Sequence, residues 1–440
     1  MSDVPIAAPT SSGRVEVDPA ATKRIVRAGT IGTVVEYYDF GLYGYTATVL
    51  ARVFFTDADP TTALLSSLIV FGVAFLIRPL GGVVFGHIGD RFGRKHALAL
   101  TIIGMCAATF VIGILPSYAA IGIAAPILLL LARLVQGLCA GGELGGAATY
   151  IAESSPEGRR GYLTSMTQMG SMLGLIGASM TVALITWLVP ADSLDSWGWR
   201  IPFLISLPLG LVGMYIRSKL EDSPAFQSVA KTEKVESAPF LTVVKRHRAA
   251  VLKVIGINVL AAPGYYIAFV YSNIFLQRQG GYATSTATWM TTSSLVVATV
   301  VILVAARVCD RVGRKPVLLA GAVGFAVLAI PAFLLMQSGT IAVAILGQLM
   351  LAVCEATMMG SILATLAELF PATIRYSGIA LGFNLAHAAF GGTAPYLSTW
   401  LIDATASPLA PAWLVIGYAV VAIVTVLSLK ETAHKPLRIE

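Results

Sequence analysis

Glu36, Asp39 and Tyr43 follow one another at spacings of three and four inside an apolar run, which places all three on one helix face. Asp39 lies roughly eleven residues, or about 16 Å, inside the near edge of that run, close to the middle of a bilayer. Another apolar run carries Arg133, Gln136, Ala140 and Glu143 at helical spacing, with Arg133 also near the middle. Arg78 sits at similar depth in a third. An ionisable group at mid-bilayer costs about 2.5–3.5 kcal/mol or more on insertion scales, so such groups face a cavity or a partner. This set suggests proton coupling to an anion. A carboxylate beside Arg is held ionised, and its desolvation on substrate arrival or cavity closure brings a proton onto it. Arg78 offers the planar fork that suits a carboxylate. Spacing alone leaves a plainer reading open, in which these residues are static salt bridges that fasten three helices together. Glu143 lies nearer the end of its run and fits a gating network better than the centre.

The second half of the chain has fewer charges in its apolar runs. It offers Asn258, Tyr265, Tyr266, Tyr271 and Asn273 in one run, Glu355 in another, and Asn384 and His387 in a third. These suit hydrogen bonds and aromatic walls for a substrate, as does Gln168 in the first half. Helix packing or an interfacial position explains any single Tyr equally well, and an interhelical hydrogen bond explains His387 as well as a proton role does.

The elements that must position these groups are transmembrane helices. Hydrophobic residues make up 56% of the chain and charged residues 12%, about half the charge of a soluble domain. Twelve apolar runs, centred near residues 40, 75, 106, 132, 175, 208, 263, 295, 326, 354, 388 and 420, are of the roughly 20-residue length that spans a bilayer. Residues 1–22 are polar, contain three prolines and lack an apolar core, so they are expected to be a disordered tail and not a cleavable signal peptide. The +7 formal charge fits basic loops on one membrane face better than nucleic-acid binding. Arg91, Arg94, Lys95, Arg159, Arg160, Lys245, Arg246, Arg311, Arg314 and Lys315 all fall on one side if the spans alternate, against Arg52, Arg200 and Arg278 on the other. That imbalance predicts both termini in the cytoplasm.

The chain also repeats itself. Gly86-His-Ile-Gly-Asp-Arg-Phe-Gly-Arg-Lys95 is echoed by Ala306-Arg-Val-Cys-Asp-Arg-Val-Gly-Arg-Lys315, about 220 residues on. Glu153…Arg160 is echoed in the same order by Glu368…Arg375. Two ordered echoes predict duplicated halves: residues 23–217 and 249–430, joined by a linker at 218–248 and followed by a short tail at 431–440. Asp90, Arg91 and Arg94, with Asp310, Arg311 and Arg314, sit at the rim where they can bridge helix ends. Positive-inside bias alone does not account for an Asp in both copies.

Gly86–Lys95 resembles the inter-span motif G-x-x-x-D-R-x-G-R-[KR] of the major facilitator superfamily, whose paired halves are a standard example of transporter architecture. Glu36-Tyr-Tyr-Asp-Phe-Gly-Leu-Tyr-Gly44, Arg78-Pro-Leu-Gly-Gly82, Arg133-Leu-Val-Gln-Gly-Leu-Cys-Ala-Gly-Gly-Glu143, Trp197-Gly-Trp-Arg-Ile-Pro-Phe203 and Phe390-Gly-Gly-Thr-Ala-Pro395 narrow the likeness. Together they resemble the metabolite:proton symporters, which carry shikimate, 2-oxoglutarate, citrate, aromatic acids, proline or betaine. The resemblance implies an all-α integral membrane protein of twelve helices in two pseudo-symmetric six-helix halves, in the bacterial cytoplasmic membrane. It places a span-1 acid and span-4 Arg pair on Asp39 and Arg133, with Glu36 beside them. It also puts Glu143, Glu153, Glu368 and Arg375 with the gating charges.

Other classes lack their signatures. No Gly-Lys-Ser/Thr exists for a P-loop, so no ATPase partner is expected. The four cysteines are far apart, and Ser and His are scattered without nucleophile or metal spacing, which excludes an enzyme and gives no cofactor. The expectation is proton-driven uptake of a small organic carboxylate by a monomer. A zwitterion such as proline or betaine, or an uncoupled facilitator of the same fold, is the alternative.

Overall fold

The computed structural model describes residues 19–92, 94–141, 149, 151–153, 155–156, 158–218, 243, 245–371, 374–433, 435 and 437. Among them the chain is helical, without a strand. The helices form twelve rods. In the first half they are α1 (Pro19–Phe54), α2 (Pro60–Leu76 continued by Arg78–Phe92), α3 (Arg94–Ile114), α4 (Ala124–Ala140), α5 (Arg160–Leu188) and α6 (Leu194–Tyr215). The second half has α7 (Arg248–Arg278), α8 (Thr284–Val312), α9 (Arg314–Met336) and α10 (Ile341–Glu368), then α11 (Arg375–Ala386 continued to Ala394–Thr405) and α12 (Ala410–Leu427).

Eight of these, α2, α5–α10 and α12, are long and apolar enough to cross a membrane, and α3 and α4 contain shorter apolar helices. α1 carries Glu36 and Asp39, and α11 is interrupted by a π-helical turn at His387–Gly391; these are the features expected of helices that line a polar path. Residues 19–22, expected in the disordered tail, form the first turn of α1. The linker expected at 218–248 falls almost wholly outside the described residues.

Within the first half α1 packs on α5, and α3 on α4 and α6; within the second, α9 packs on α10 and α12, and α7 on α12. The halves meet along α5 against α8 and α10, and along α2 against α11. α7 is the most enclosed rod, with 94% of its most apolar stretch buried against 39–50% for the others measured in the same way.

Local sequence sets the two breaks that matter. Pro79 has no N–H to give to the preceding turn, and α2 breaks at Ile77 just ahead of it, which places Arg78 at the start of the second segment. Close approach of α4 then fixes Arg78 in place. A Cβ on Gly81 would collide with the Leu138 carbonyl and one on Gly141 with the Arg78 carbonyl, so these helices touch backbone to backbone. In α7, Pro263 interrupts the helix interior and a π-helical turn follows at Ile267–Tyr271.

Candidate functional site at the interface of the halves

Glu36 and Arg78 form an ion pair between α1 and α2, with the side chains 0% and 2% exposed. The Arg78 guanidinium also lies over the rings of Phe40 and Phe75, 4.5 and 5.0 Å from their centroids. This corrects the expectation of a fork free to take a substrate carboxylate: Glu36 already neutralises it.

The expected Asp39–Arg133 ion pair is likewise not formed. Arg133 donates to the Phe71 carbonyl at 3.1 Å and to Gln136 Oε1 at 2.9 Å, with its guanidinium 4.4 Å from the Tyr43 ring centroid. Gln136 in turn donates to the Thr109 hydroxyl, whose proton goes to the Met105 carbonyl at 3.0 Å. Neutral acceptors and aromatic faces hold the guanidinium. Both Asp39 carboxyl oxygens are buried without an ion pair or well-formed hydrogen bond among the described residues, facing Thr109, Arg133 and Glu36. The first-half cluster thus brings together Glu36, Asp39, Arg78, Arg133 and Gln136 as expected, with the pairing exchanged. The Tyr43 hydroxyl is spent on the Ser67 carbonyl at 3.1 Å, so Tyr43 is wall and not ligand.

The second half meets this cluster with an aromatic lattice. Tyr37 on α1 faces Tyr265 on α7 at 5.5 Å between centroids, Tyr265 faces Tyr266 at 5.2 Å, and Tyr266 stands edge-on to Phe71 and Phe75 of α2 at 5.7 and 5.0 Å. The Tyr265 and Tyr266 hydroxyls are buried without partners among the described residues. His387 stacks on Phe383 at 3.7 Å with its Nδ1 3.0 Å from the Phe383 carbonyl, and Arg78 faces it. Asn384 reaches across the halves to the Gly141 carbonyl at 3.5 Å. Asn258 donates to the Val254 carbonyl of its own helix at 2.8 Å. Gln168 is buried on α5.

One feature escaped the sequence reading. Gln277 accepts from Thr48 of α1 at 3.1 Å and from Thr284 of α8 at 3.0 Å, and it donates to Asn273 at 2.6 Å. Asn273 donates to Thr291 at 3.3 Å, and Thr291 also accepts from Gln348 at 2.9 Å. That polar chain runs from α1 to α10, and amides at α7 spacing were its only signal in sequence. Glu355 was already singled out in the sequence. It is 1% exposed, and its Oε2 has no partner and packs towards Gly264 beside the Pro263 break.

At the motif end the echoed charges pair crosswise. Arg160 of the first half bonds Glu368 of the second at 2.5 Å, and Arg375 of the second bonds Glu153 of the first at 2.5 Å. Asp310 accepts from the backbone N–H groups of Gly161 and Tyr162, both at 2.8 Å, at the start of α5. Arg314 ties Asp310 to Glu368 at 2.8 and 3.0 Å. Arg311 is exposed at the end of α8. The side chains of Asp90, Arg91 and Arg94, and Glu143 entirely, lie outside the described residues. The tail adds a clasp: Glu431 accepts from the N–H groups of Arg314 and Lys315 at 2.9 and 3.0 Å. Gly313, at φ 112°, makes the tight turn that presents them.

Two pseudo-equivalent helical halves, a buried polar and aromatic site between them and a charged latch at one end define a membrane transporter. Residues 27–252 match the family described as "Sugar (and other) transporter", and residues 254–439 match "Major Facilitator Superfamily". The chain belongs to the major facilitator superfamily and is a multi-pass protein of the bacterial inner membrane. It is 38% identical over 431 residues, 96% of this chain and 86% of the relative, to the proline/betaine transporter of Salmonella typhimurium. It is 39% identical, with the same coverage, to the glycine betaine/proline/ectoine/pipecolic acid transporter OusA of Dickeya dadantii. It is 38% identical, over 96% of this chain and 91% of the relative, to a putative proline/betaine transporter of Staphylococcus aureus. Among solved structures, the proton:xylose symporter XylE bound to 6-bromo-6-deoxy-D-glucose superposes with a TM-score of 0.77 at 18% identity, covering 95% of this chain and 98% of the other. That likeness extends to the fold.

Proposed function

We propose that the chain takes up small zwitterions of the proline and betaine type by alternating access, driven by protons. The observation that carries this reading is the likeness at 38–39% identity, over 96% of the chain, to carriers named for proline and betaine. The site supports it physically. Arg78 is matched by Glu36, and Asp39 stands near Arg133, so the centre lacks the surplus of positive charge that an organic anion would require. The comparisons favour the zwitterion over the organic carboxylate, and charge balance points the same way. Aromatic faces from Tyr37, Tyr265 and Tyr266 suit a cationic nitrogen, particularly a quaternary one.

Asp39 is the coupling group in this reading. Glu36 is held by Arg78, whereas Asp39 has no partner that fixes it in one charge state. Access to water from alternate sides would load and unload its proton. The motif end is the cytoplasmic end, closed here by the crosswise pairs.

Proteoliposome uptake tests the reading. L-proline and glycine betaine are expected to accumulate when an inward proton gradient is imposed, and not without it. Accumulation of 2-oxoglutarate or citrate, with no competition from either zwitterion, would overturn it.

A further inference from the structure

We infer a second, outer substrate site: a vestibule at the end opposite the motif loops, where Arg278 receives the carboxylate of the zwitterion before the central site is reached. The inference rests on the zwitterion reading and adds a location to it.

A cavity of about 470 Å³ opens at that end between α1, the start of α2, and the α7–α8 turn. That volume falls within the range of about 300–1,000 Å³ typical of small-ligand sites. Two guanidinium groups and no carboxylate line it. The first, Arg52, is committed: its Nε and Nη2 donate to the two oxygens of Asp195, both at 2.8 Å. The second, Arg278, makes one hydrogen bond to protein among the described residues, from Nη2 to the Thr61 hydroxyl at 3.1 Å. Arg278 is exposed, and Asp403, which lines the neighbouring cavity with it, makes no ion pair with it among the described residues. A carboxylate is a better acceptor than the hydroxyl and can take two of the guanidinium donors at once.

Tyr282 lines the same cavity, and its hydroxyl is buried in the wall without a partner among the described residues. A turn of the side chain on binding would make that hydroxyl a second donor to a carboxylate held on Arg278. Phe55 and the Tyr282 ring supply faces against which the cationic nitrogen can lie. Gln277, by contrast, is fully engaged by Thr48, Thr284 and Asn273 and serves as wall.

The position of Arg278 gives the site a consequence for transport. A smaller cavity of about 90 Å³, reaching Tyr271 and Thr399, shares Leu64 and Arg278 with the vestibule and is lined by Thr61 as well. Arg278 thus lines both spaces, and its bond to Thr61 joins the halves at the wall they share. A carboxylate that takes the Arg278 donors competes with Thr61, so arrival of the substrate loosens this partition.

The test compares uptake kinetics of Arg278→Gln, Arg278→Lys, Tyr282→Phe and Thr61→Val in proteoliposomes, after detergent size-exclusion has shown each to be folded. Arg278→Gln is expected to raise the KM for L-proline at least tenfold with Vmax within about twofold. Arg278→Lys, which keeps the charge and loses the fork, should raise it less. Tyr282→Phe should raise KM by a few fold, and Thr61→Val should leave it unchanged or lower it, because Arg278 is freed. An unchanged KM in Arg278→Gln overturns the inference. So does an equal rise in Arg278→Gln and Thr61→Val, since a purely structural bridge loses as much from either end. If the wild type accumulates neither proline nor glycine betaine, the zwitterion reading fails. The same variants are then read with whichever carboxylate the wild type does accumulate, because Arg278 recognises the carboxylate and not the nitrogen.

Discussion

Glu36 and Arg78 neutralise each other in the interior of the first half, and Asp39, one helical turn further along α1, has no such partner. Two carboxylates on one face of one helix therefore have different work. A buried ion pair can contribute little net stability, yet removing one member leaves an uncompensated charge, at a cost of about 3–5 kcal/mol. Arg78→Gln should thus be strongly destabilising, and Glu36→Gln combined with it should recover much of the loss. Thermal unfolding in detergent over the double-mutant cycle measures this, and additive losses would show that the pair is not coupled.

Asp39→Asn should abolish accumulation driven by a proton gradient while counterflow exchange of preloaded substrate persists. The amide preserves the shape of a side chain that makes no ion pair among the described residues, so folding should be little affected. Persistent gradient-driven accumulation in this variant would transfer the coupling role to Glu36.

The fold was legible because its signals are long-range and redundant: apolar runs of spanning length, a duplicated charged motif and an ordered echo of Glu153…Arg160 in Glu368…Arg375. The members of the site were legible as well, since charge inside an apolar helix is conspicuous. The pairing was not. Depth along a helix puts Arg78 and Arg133 near both acids, and rotation and side-chain reach decide between them. Here the Pro79 break and the glycine contacts with α4 bring Arg78 to Glu36. The free fork of Arg78 was misjudged for the same reason. Gln277 and Gln348 were missed because a neutral amide in a helix carries no cost large enough to announce itself in sequence.

Glu355 is the one second-half carboxyl at this depth with an unpartnered oxygen among the described residues, and it packs against Gly264 next to the Pro263 break. Glu355→Gln preserves its volume and should fold normally. Gly264→Ala would place a Cβ 2.7 Å from Glu355 Oε2 and 3.1 Å from the Phe325 ring, so it should slow transport unless Glu355 is shortened as well. Initial uptake rates of Gly264→Ala and of Gly264→Ala with Glu355→Ser check this; no rescue in the double variant counts against the steric account.

Glu431 lies beyond α12, where partial burial pushes its carboxyl up and the N–H groups of Arg314, Ala433, Lys315 and Thr432 pull it down further, below the usual carboxylate range. A carboxyl lowered by folding adds stability above its unfolded value, about 4.3, and that stability is lost as pH falls through the folded value. Glu431→Gln should therefore lower Tm at pH 7, and the gap to wild type should close as pH falls below about 4. A gap that is the same at both pH values would show that the N–H groups do not favour the charged form.

The crosswise pairs Arg160–Glu368 and Arg375–Glu153 join the halves at the motif end, so they hold that end shut only in the conformation seen here. Their loss should shift the population towards opening at that end without touching the central site. Arg160→Ala is expected to change turnover strongly while KM moves little. Arg160 lies one turn from Thr164, which is 1% exposed, and the four native cysteines are buried. A cysteine placed at Thr164 therefore reports on opening through its rate of alkylation by a water-soluble maleimide. That rate should rise at least tenfold in Arg160→Ala, about 1.4 kcal/mol of population shift. The charge-reversed pair Arg160→Glu with Glu368→Arg should bring it part of the way back, because Arg314, which also pairs with Glu368, would then face an arginine. Equal alkylation rates in wild type and Arg160→Ala would show that the pair is not what keeps this end closed, and would leave the Asp310 bonds to the start of α5 as the latch.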